Sequence, residues 1–298
     1  MSEHIQATIP QSRHLSDYVA LTKPAIVALL LLTTLCGMVL AASEFPPVSI
    51  ALQTLLGGAL TAGGAGALNQ YIDRGIDRKM VRTRGRPVAD HRIPPREAMI
   101  TGLVLSAAGL AILALGVNLL SALLATIGLL YYVVFYTIVL KPSTPSNIVI
   151  GGAAGAIPPL VGWAAVTGSL SMPALFLFAL IFFWTPPHFW ALALLKRTDY
   201  QRADIPMLPV IRGSEQTRWQ IMLYSVQVVA LTLLMPLVGL GGLLYIGVAI
   251  ILGFGLIHNA RMLRRQGQNR VAWRMYRYSS LYLAGIMVAL MAEALIIG

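Results

Sequence analysis

Apolar runs of about twenty residues follow one another along almost the whole chain, separated by short breaks that carry the polar residues, glycines and prolines. Nine such runs can be drawn, at approximately 24–42, 48–68, 98–116, 119–140, 147–167, 173–195, 218–238, 241–258 and 277–297. A run of ~20 apolar residues is the length a helix needs to cross the hydrocarbon core of a bilayer. Transmembrane strands would instead read as segments of about ten residues with alternating character. The pattern predicts an all-α polytopic membrane protein. Because the spans consume nearly all of the chain, one membrane domain over 1–298 is expected, preceded by a polar leader at 1–22.

Composition agrees with the pattern and adds one thing, the sidedness. Hydrophobic residues make up 57% of the 298 and charged residues 11%, against roughly 25% charged in an ordinary soluble domain. The net charge of +11 would suggest nucleic acid in a soluble protein, but the positions of the basic residues give another reading. All 22 Lys and Arg fall in the leader or in the connections after the second, fourth, sixth and eighth spans. The opposite connections, such as 43–47 and 168–172, hold none. The positive-inside rule then puts the N-terminus in the cytoplasm and the C-terminus outside, and no nucleic-acid partner is called for. Cys36, the one cysteine, lies within the first span, so neither a disulfide framework nor a thiolate metal site is expected. The first run is long for a signal peptide and is read as a retained span.

Two stretches dense in small residues, from Gly57 to Gly66 and from Gly151 to Gly162, predict close helix–helix approach in lipid. Pro158-Pro159 and Pro186-Pro187 lie inside spans five and six, where proline kinks or breaks a helix. Irregular backbone at that depth is tolerated where it is buried or lines a cavity, so a cavity wall is expected beside His188.

The candidate chemistry sits after the second span. Asn69, Asp73 and Asp77 are spaced i, i+4, i+8, one stripe down a helix end, and Arg82, Arg84 and Arg86 follow closely. Mg²⁺ is usually held by one or two carboxylates, with substrate phosphates and waters completing its shell. A carboxylate pair one turn apart, wrapped in arginines where a span emerges, therefore suits Mg²⁺ and a polyphosphate. A bare Asp-x-x-x-Asp is common and by itself reads as a solvated helix end; the longer string is far more specific. A second acidic and basic loop follows span six, with Lys196, Asp199, Tyr200 and Asp204. It lies four spans on from the first, a hint of internal duplication and of a site assembled from both halves. The basic loop at 259–275 has no acidic partner and reads as topological, with attraction to anionic lipid headgroups.

Asn69-x3-Asp73-x3-Asp77, with Met80, Arg82-Thr83 and Arg86-Pro87 after it in a chain of nine spans, resembles the intramembrane aromatic prenyltransferase superfamily. Within it the chain is similar to the protohaem IX farnesyltransferases, or haem O synthases. Tyr136-Thr137, Leu140-Lys141, Thr144-Pro145, Asn147 to Gly152, Gly155-Ala156, Pro158-Pro159 and Gly162-Trp163 carry the resemblance through the centre of the chain. Trp184 to Trp190 and Lys196-x2-Asp199-Tyr200-x5-Pro206-Met207-Leu208-Pro209 carry it on, and the strings around His188 and Asp199 separate the haem enzymes from their quinone-making relatives. The wider superfamily often has a second aspartate pair four apart in the later loop. Here Asp199 and Asp204 are five apart, so Asp204 is left out and no second metal is assigned.

The resemblance implies a fold of nine helices around a cytoplasm-facing cavity in a bacterial-type inner membrane. It implies farnesyl transfer from farnesyl diphosphate to a vinyl group of haem B, with addition of water and loss of diphosphate, and Mg²⁺ as cofactor. Carried over residue by residue, Asn69, Asp73, Asp77, Lys196 and Asp199 are the catalytic set, with Asp73 and Asp77 on the metal. Arg82, Arg86, Tyr136, Lys141, His188 and Tyr200 are the substrate-binding set, His188 facing the haem. Haem B, farnesyl diphosphate and membrane lipid are the implied partners, together with haem-copper oxidase assembly or other haem-modifying enzymes. Two alternatives stay open from the residues alone: a quinone-type aromatic prenyltransferase of the same fold, and a transporter of anionic lipids, whose broken helices and basic loops would look similar. Glu293, deep in the last span, has no partner that the sequence identifies.

Overall fold

The computed structural model describes residues 14–297; the first thirteen residues of the leader, with His4 and Arg13, and the C-terminal Gly298 lie outside the described residues. A short helix α1 (Leu15–Leu21) precedes α2 (Pro24–Ala42), α3 (Val48–Lys79) and α4 (Pro95–Gly116). The fourth span starts as α5 (Leu119–Leu130), continues as a π-helix (Tyr131–Leu140) and ends in α6 (Lys141–Ser143). Then come α7 (Asn147–Thr167), α8 (Met172–Leu195), two short surface helices α9 (Arg197–Arg202) and α10 (Leu208–Ile211), α11 (Gly213–Leu234), α12 (Leu243–Gln266) and α13 (Asn269–Ile297). Among the described residues there is no strand, and nine helices are long and apolar enough to cross a membrane. The spans match the nine apolar runs, but several helices outrun them on the basic side. α3 continues to Lys79 where the apolar run stops near 68, and α12 to Gln266 where it stops near 258. A helix closes its own backbone hydrogen bonds and can leave the bilayer intact, so hydropathy marks the membrane boundary and not the helix end.

Small residues set the tightest crossings, as their density predicts. α2 lies so close to α7 that a Cβ on Gly162 would collide with the Thr34 carbonyl and one on Gly37 with the Pro159 carbonyl. Without a hydrophobic drive between helices in lipid, such close backbone packing is a principal source of cohesion. The proline pairs do not break their helices: α7 and α8 run through Pro158-Pro159 and Pro186-Pro187 without interruption. Each proline forfeits one backbone bond, and dense packing of α7 against α2 and α8 holds the helices in course.

Glu293 also finds a purpose. Its Oε2 accepts the Tyr245 backbone N–H at 2.8 Å, in the first turn of α12. A carboxylate from α13 thus caps the N-terminus of another helix, where orphan N–H groups and the dipole favour negative charge.

Candidate active site

The last three turns of α3 carry the predicted stripe, and it is buried: Asn69 is 3% exposed, Asp73 1% and Asp77 2%. The helix does not stop where the apolar run does, so the i, i+4 register is kept through both aspartates. Each carboxylate has its own cation. Asp73 Oδ2 accepts from Lys141 Nζ at 2.5 Å and from Asn69 Nδ2 at 2.8 Å. Asp77 accepts on both oxygens from Arg86 Nη1, at 2.9 and 2.8 Å. Asp73 Oδ1 is buried without a partner among the described residues.

Three further residues close on this stripe that sequence reasoning had not picked. Lys23 Nζ donates to Asn69 Oδ1 at 2.5 Å and to the Tyr132 hydroxyl at 3.1 Å, and Asn69 Nδ2 donates to Thr137 Oγ1 at 3.0 Å. Burial and then the neighbouring Arg86 hold the Lys23 ammonium down at about 7, against the pull of Asp73 and Asp77. Its backbone is left-handed (φ 55, ψ 59) directly ahead of Pro24, a conformation most residues avoid and one that a following proline disfavours. Strain of this kind collects at functional sites, and a lysine at the positive end of a helix, set against the dipole, is the signal that would have found it. Tyr132, Thr137 and Lys141 share the π-helical part of the fourth span and its end. At 3.6 residues per turn, nine residues rotate a side chain by about 180°, which would set Tyr132 and Lys141 on opposite faces. The wider π turn, marked by the Lys141 N–H bonding the Tyr136 carbonyl, brings both to the α3 stripe or its partner Lys23. Tyr136 stacks on Tyr132 with centroids 5.8 Å apart, and its ring lies flush on α7 where any side chain at Gly151 would collide with it.

The two polar loops meet above the stripe. Asp199 Oδ2 accepts the Arg82 backbone N–H at 3.3 Å and pairs with Arg202 at 3.8 Å. The Arg82 guanidinium lies beside Tyr200, whose phenol burial pushes up against the opposing pull of Arg82. The first loop is pinned from beneath: Thr83 Oγ1 donates to the Asp77 carbonyl, Arg78 Nε to the Ala89 carbonyl, and Arg92 pairs with buried Asp17 of α1. Gln70 Nε2 ties α1 to α3 through the Ala20 and Leu21 carbonyls.

Of the eleven residues predicted, Asn69, Asp73, Asp77, Arg86 and Lys141 form one contiguous cluster, and Arg82, Asp199 and Tyr200 a second. Lys196 caps the end of α8 and makes no ion pair among the described residues. His188 stands elsewhere. Its ring is sandwiched between Trp184 and Tyr276, centroids at 4.3 and 4.5 Å, and its Nδ1 bonds Ser279 Oγ at 2.8 Å, so it faces α13 and not an open cavity. Asp204 is 83% exposed and pairs with Lys79 at 3.3 Å.

The residues fit a divalent cation of the Mg²⁺ kind. The donors are hard oxygens, and the unpartnered Asp73 Oδ1 is a costly buried acceptor that such an ion would satisfy. Among the described residues no three His, Cys, Asp or Glu converge.

Fold and site together define an integral membrane helical bundle with a buried acidic pair, wrapped in lysine and arginine, at its basic end. Residues 30–282 match the UbiA prenyltransferase family, and the chain belongs to that family. It is 50% identical over 282 residues to a protoheme IX farnesyltransferase of Roseiflexus sp., covering 95% of this chain and 53% of that protein. It is 49% identical over 279 residues to the protoheme IX farnesyltransferase of Symbiobacterium thermophilum, covering 93% of each. The chain thus spans about half the length of the first of these relatives and nearly all of the second. A UbiA homolog from Archaeoglobus fulgidus, solved bound to GPP and Mg²⁺, shares the fold at a TM-score of 0.64 and 17% identity, covering 92% of this chain and 99% of that one.

Proposed function

We propose that this protein is a Mg²⁺-dependent farnesyltransferase acting on protohaem IX. The observation that carries the reading is Asp73 Oδ1, a buried carboxylate oxygen left unpaired inside a cluster of three cationic side chains, Lys23, Arg86 and Lys141. It is supported by the names of the relatives and by the diphosphate and metal in the Archaeoglobus fulgidus homolog. Asp73 and Asp77 would hold Mg²⁺, which would supply Lewis-acid neutralisation of the diphosphate leaving group.

The chain's own residues do the rest. Arg86 and Lys141, paired with the aspartates, also stand to bind diphosphate oxygens, arginine offering a planar fork and lysine a point charge. Lys23, held through Asn69 and Tyr132, adds a third donor to the same charge. Arg82, anchored by Asp199 and Tyr200, closes the loop over it. The C–O bond to diphosphate breaks first, and the C1 of the resulting farnesyl cation then bonds to a vinyl carbon of the porphyrin. Water adds its hydroxyl to the other vinyl carbon and loses a proton. The allylic cation in between survives only where bulk water is kept out, a purpose served by Tyr136, packed on Tyr132 and against α7. For His188 we assign a supporting role, holding α8 against α13.

The basic end of the bundle, and the site with it, faces the cytoplasm of a bacterial-type inner membrane by the positive-inside rule. A reporter inserted at His91 is expected to score inside and one fused to the C-terminus outside. The reaction is tested with purified protein, haem B, farnesyl diphosphate and Mg²⁺, read by mass spectrometry, with 4-hydroxybenzoate in place of haem as the parallel arm. A farnesylated, hydrated porphyrin is the expected product. Prenylation of 4-hydroxybenzoate alone would move the chain to the quinone-type branch.

A further inference from the structure

Resting on that reading, we infer that the acceptor docks in a groove on the opposite face of α8 from His188, where arginines hold the porphyrin's two carboxylates. Two cavities adjoin there. One, of about 440 Å³, is lined by Arg212, Glu215, Gln216, Arg218, Trp219 and Arg264. The other, of about 850 Å³, runs on between α7, α8, α10 and α11. Arg212 and Gln216 line both, so the two form one continuous groove. The larger part falls within the ~300–1,000 Å³ of small-molecule sites.

The charged end is built for an anion. None of Arg212, Arg218, Arg264 or Glu215 forms an ion pair among the described residues, so three guanidiniums face one carboxylate without being neutralised. Arg218 Nε is buried and unpartnered. Arg264 is fixed in place, its guanidinium 4.2 Å over the Trp219 ring. This end also sits at the first turns of α11, where the helix dipole adds positive potential.

The other end is apolar with a few polar points. Ile150, Trp190, Leu208 and Tyr224 form its walls. Gln216, Gln220 and Tyr224, at i, i+4 and i+8 on α11, give one stripe of polar tips along it. Trp190 is 3% exposed and its indole N–H has no partner, an unmet donor in the groove wall. A wide, flat, apolar body with two carboxylates on one edge satisfies both ends at once. A farnesyl diphosphate does not, because its charge is called for at Asp73 and Asp77. Pro145 and Ser146 line the groove, a few residues beyond Lys141, which pairs with Asp73. The body of the docked acceptor therefore lies beside the prenyl site, and its vinyl edge reaches from the groove to the farnesyl C1.

The test is a spectral titration of ferric protoporphyrin into protein held in phosphatidylcholine nanodiscs. The triple variant Arg212→Gln, Arg218→Gln, Arg264→Gln is expected to weaken binding at least about tenfold, the loss that follows removal of charge-assisted pairs. Farnesyl diphosphate affinity should be unchanged. The dimethyl ester of the same porphyrin should bind wild type more weakly than the diacid does, and bind the triple variant as it binds wild type. Ile150→Trp, at a position 42% exposed, fills the groove without touching charge and should weaken diacid and ester alike. Unaltered diacid affinity in the triple variant overturns the proposal, as does an equal loss for diacid and ester there. If phosphatidylglycerol in the nanodisc displaces the porphyrin from wild type, the arginines serve a lipid headgroup and the proposal falls. Each of these leaves prenyl transfer standing. Wild type that prenylates another acceptor and binds no porphyrin overturns the functional reading and the groove with it.

Discussion

The two acidic loops of this protein carry the same residue types and end up in different states. Asp73 and Asp77 stand four apart on one unbroken helix, and both are buried beside a cation. Asp199 and Asp204 stand five apart across the end of α9, which closes at Arg202. Asp199 is buried and grips Arg82 of the first loop. Asp204, on left-handed backbone at φ 57, points out to an exposed partner. Convergence of two carboxylates is thus decided by helix continuity as much as by their spacing. The first loop sets two buried carboxylates on one face of a helix, and the second offers a single carboxylate that serves as a clasp between loops.

The comparison breaks most readily at the first pair. Asp73→Asn or Asp77→Asn is expected to lower turnover on the order of 10²–10³, the usual loss for one preorganised stabiliser of developing charge. Chelation of wild type should match it and added Mg²⁺ reverse it, with circular dichroism unchanged. Full turnover in thoroughly chelated protein would reduce the first pair to a clasp like the second. Lys141→Met or Lys23→Met should cost less, about ten- to a hundredfold in kcat/KM for farnesyl diphosphate, because each removes one donor to charge. Asp199→Asn sharpens the contrast. It loosens Arg82 and the loop junction, so a rise in KM for farnesyl diphosphate of about threefold to tenfold is expected, with the Mg²⁺ requirement unmoved. A changed Mg²⁺ dependence would make Asp199 a ligand. Asp204→Ala should do least, within about twofold by the same assay, since a solvent-exposed ion pair contributes little.

Much of this contrast could be read in advance. The i, i+4, i+8 stripe is a statement about one helix, and it holds because α3 stays helical beyond its apolar run. Asp204, left out on spacing, points outward to Lys79. What could not be read was the company the stripe keeps. Lys23 counts only as one basic residue of the leader, Thr137 only as part of a string that carries the resemblance, and Tyr132 carries no assignment. They join Asn69 through a backbone in two unusual states, a left-handed residue before proline and a π-helix, neither of which hydrophobic periodicity reports. His188 read as a cavity residue because two prolines precede it, and α8 instead runs on and buries its ring against α13.

By itself the sequence determined the nine spans, the single-sided distribution of basic charge and the aspartate stripe, because each depends on local composition or on a fixed helical period. The meeting of Lys23, Thr137 and Lys141 with that stripe, the clasp between the two loops, the capping of α12 by Glu293 and the arginine-rimmed groove belong to the tertiary structure. Each joins residues from separate helices. Their distances are set by close backbone packing at small residues and by the turn of a π-helix, and these are properties of how helices meet.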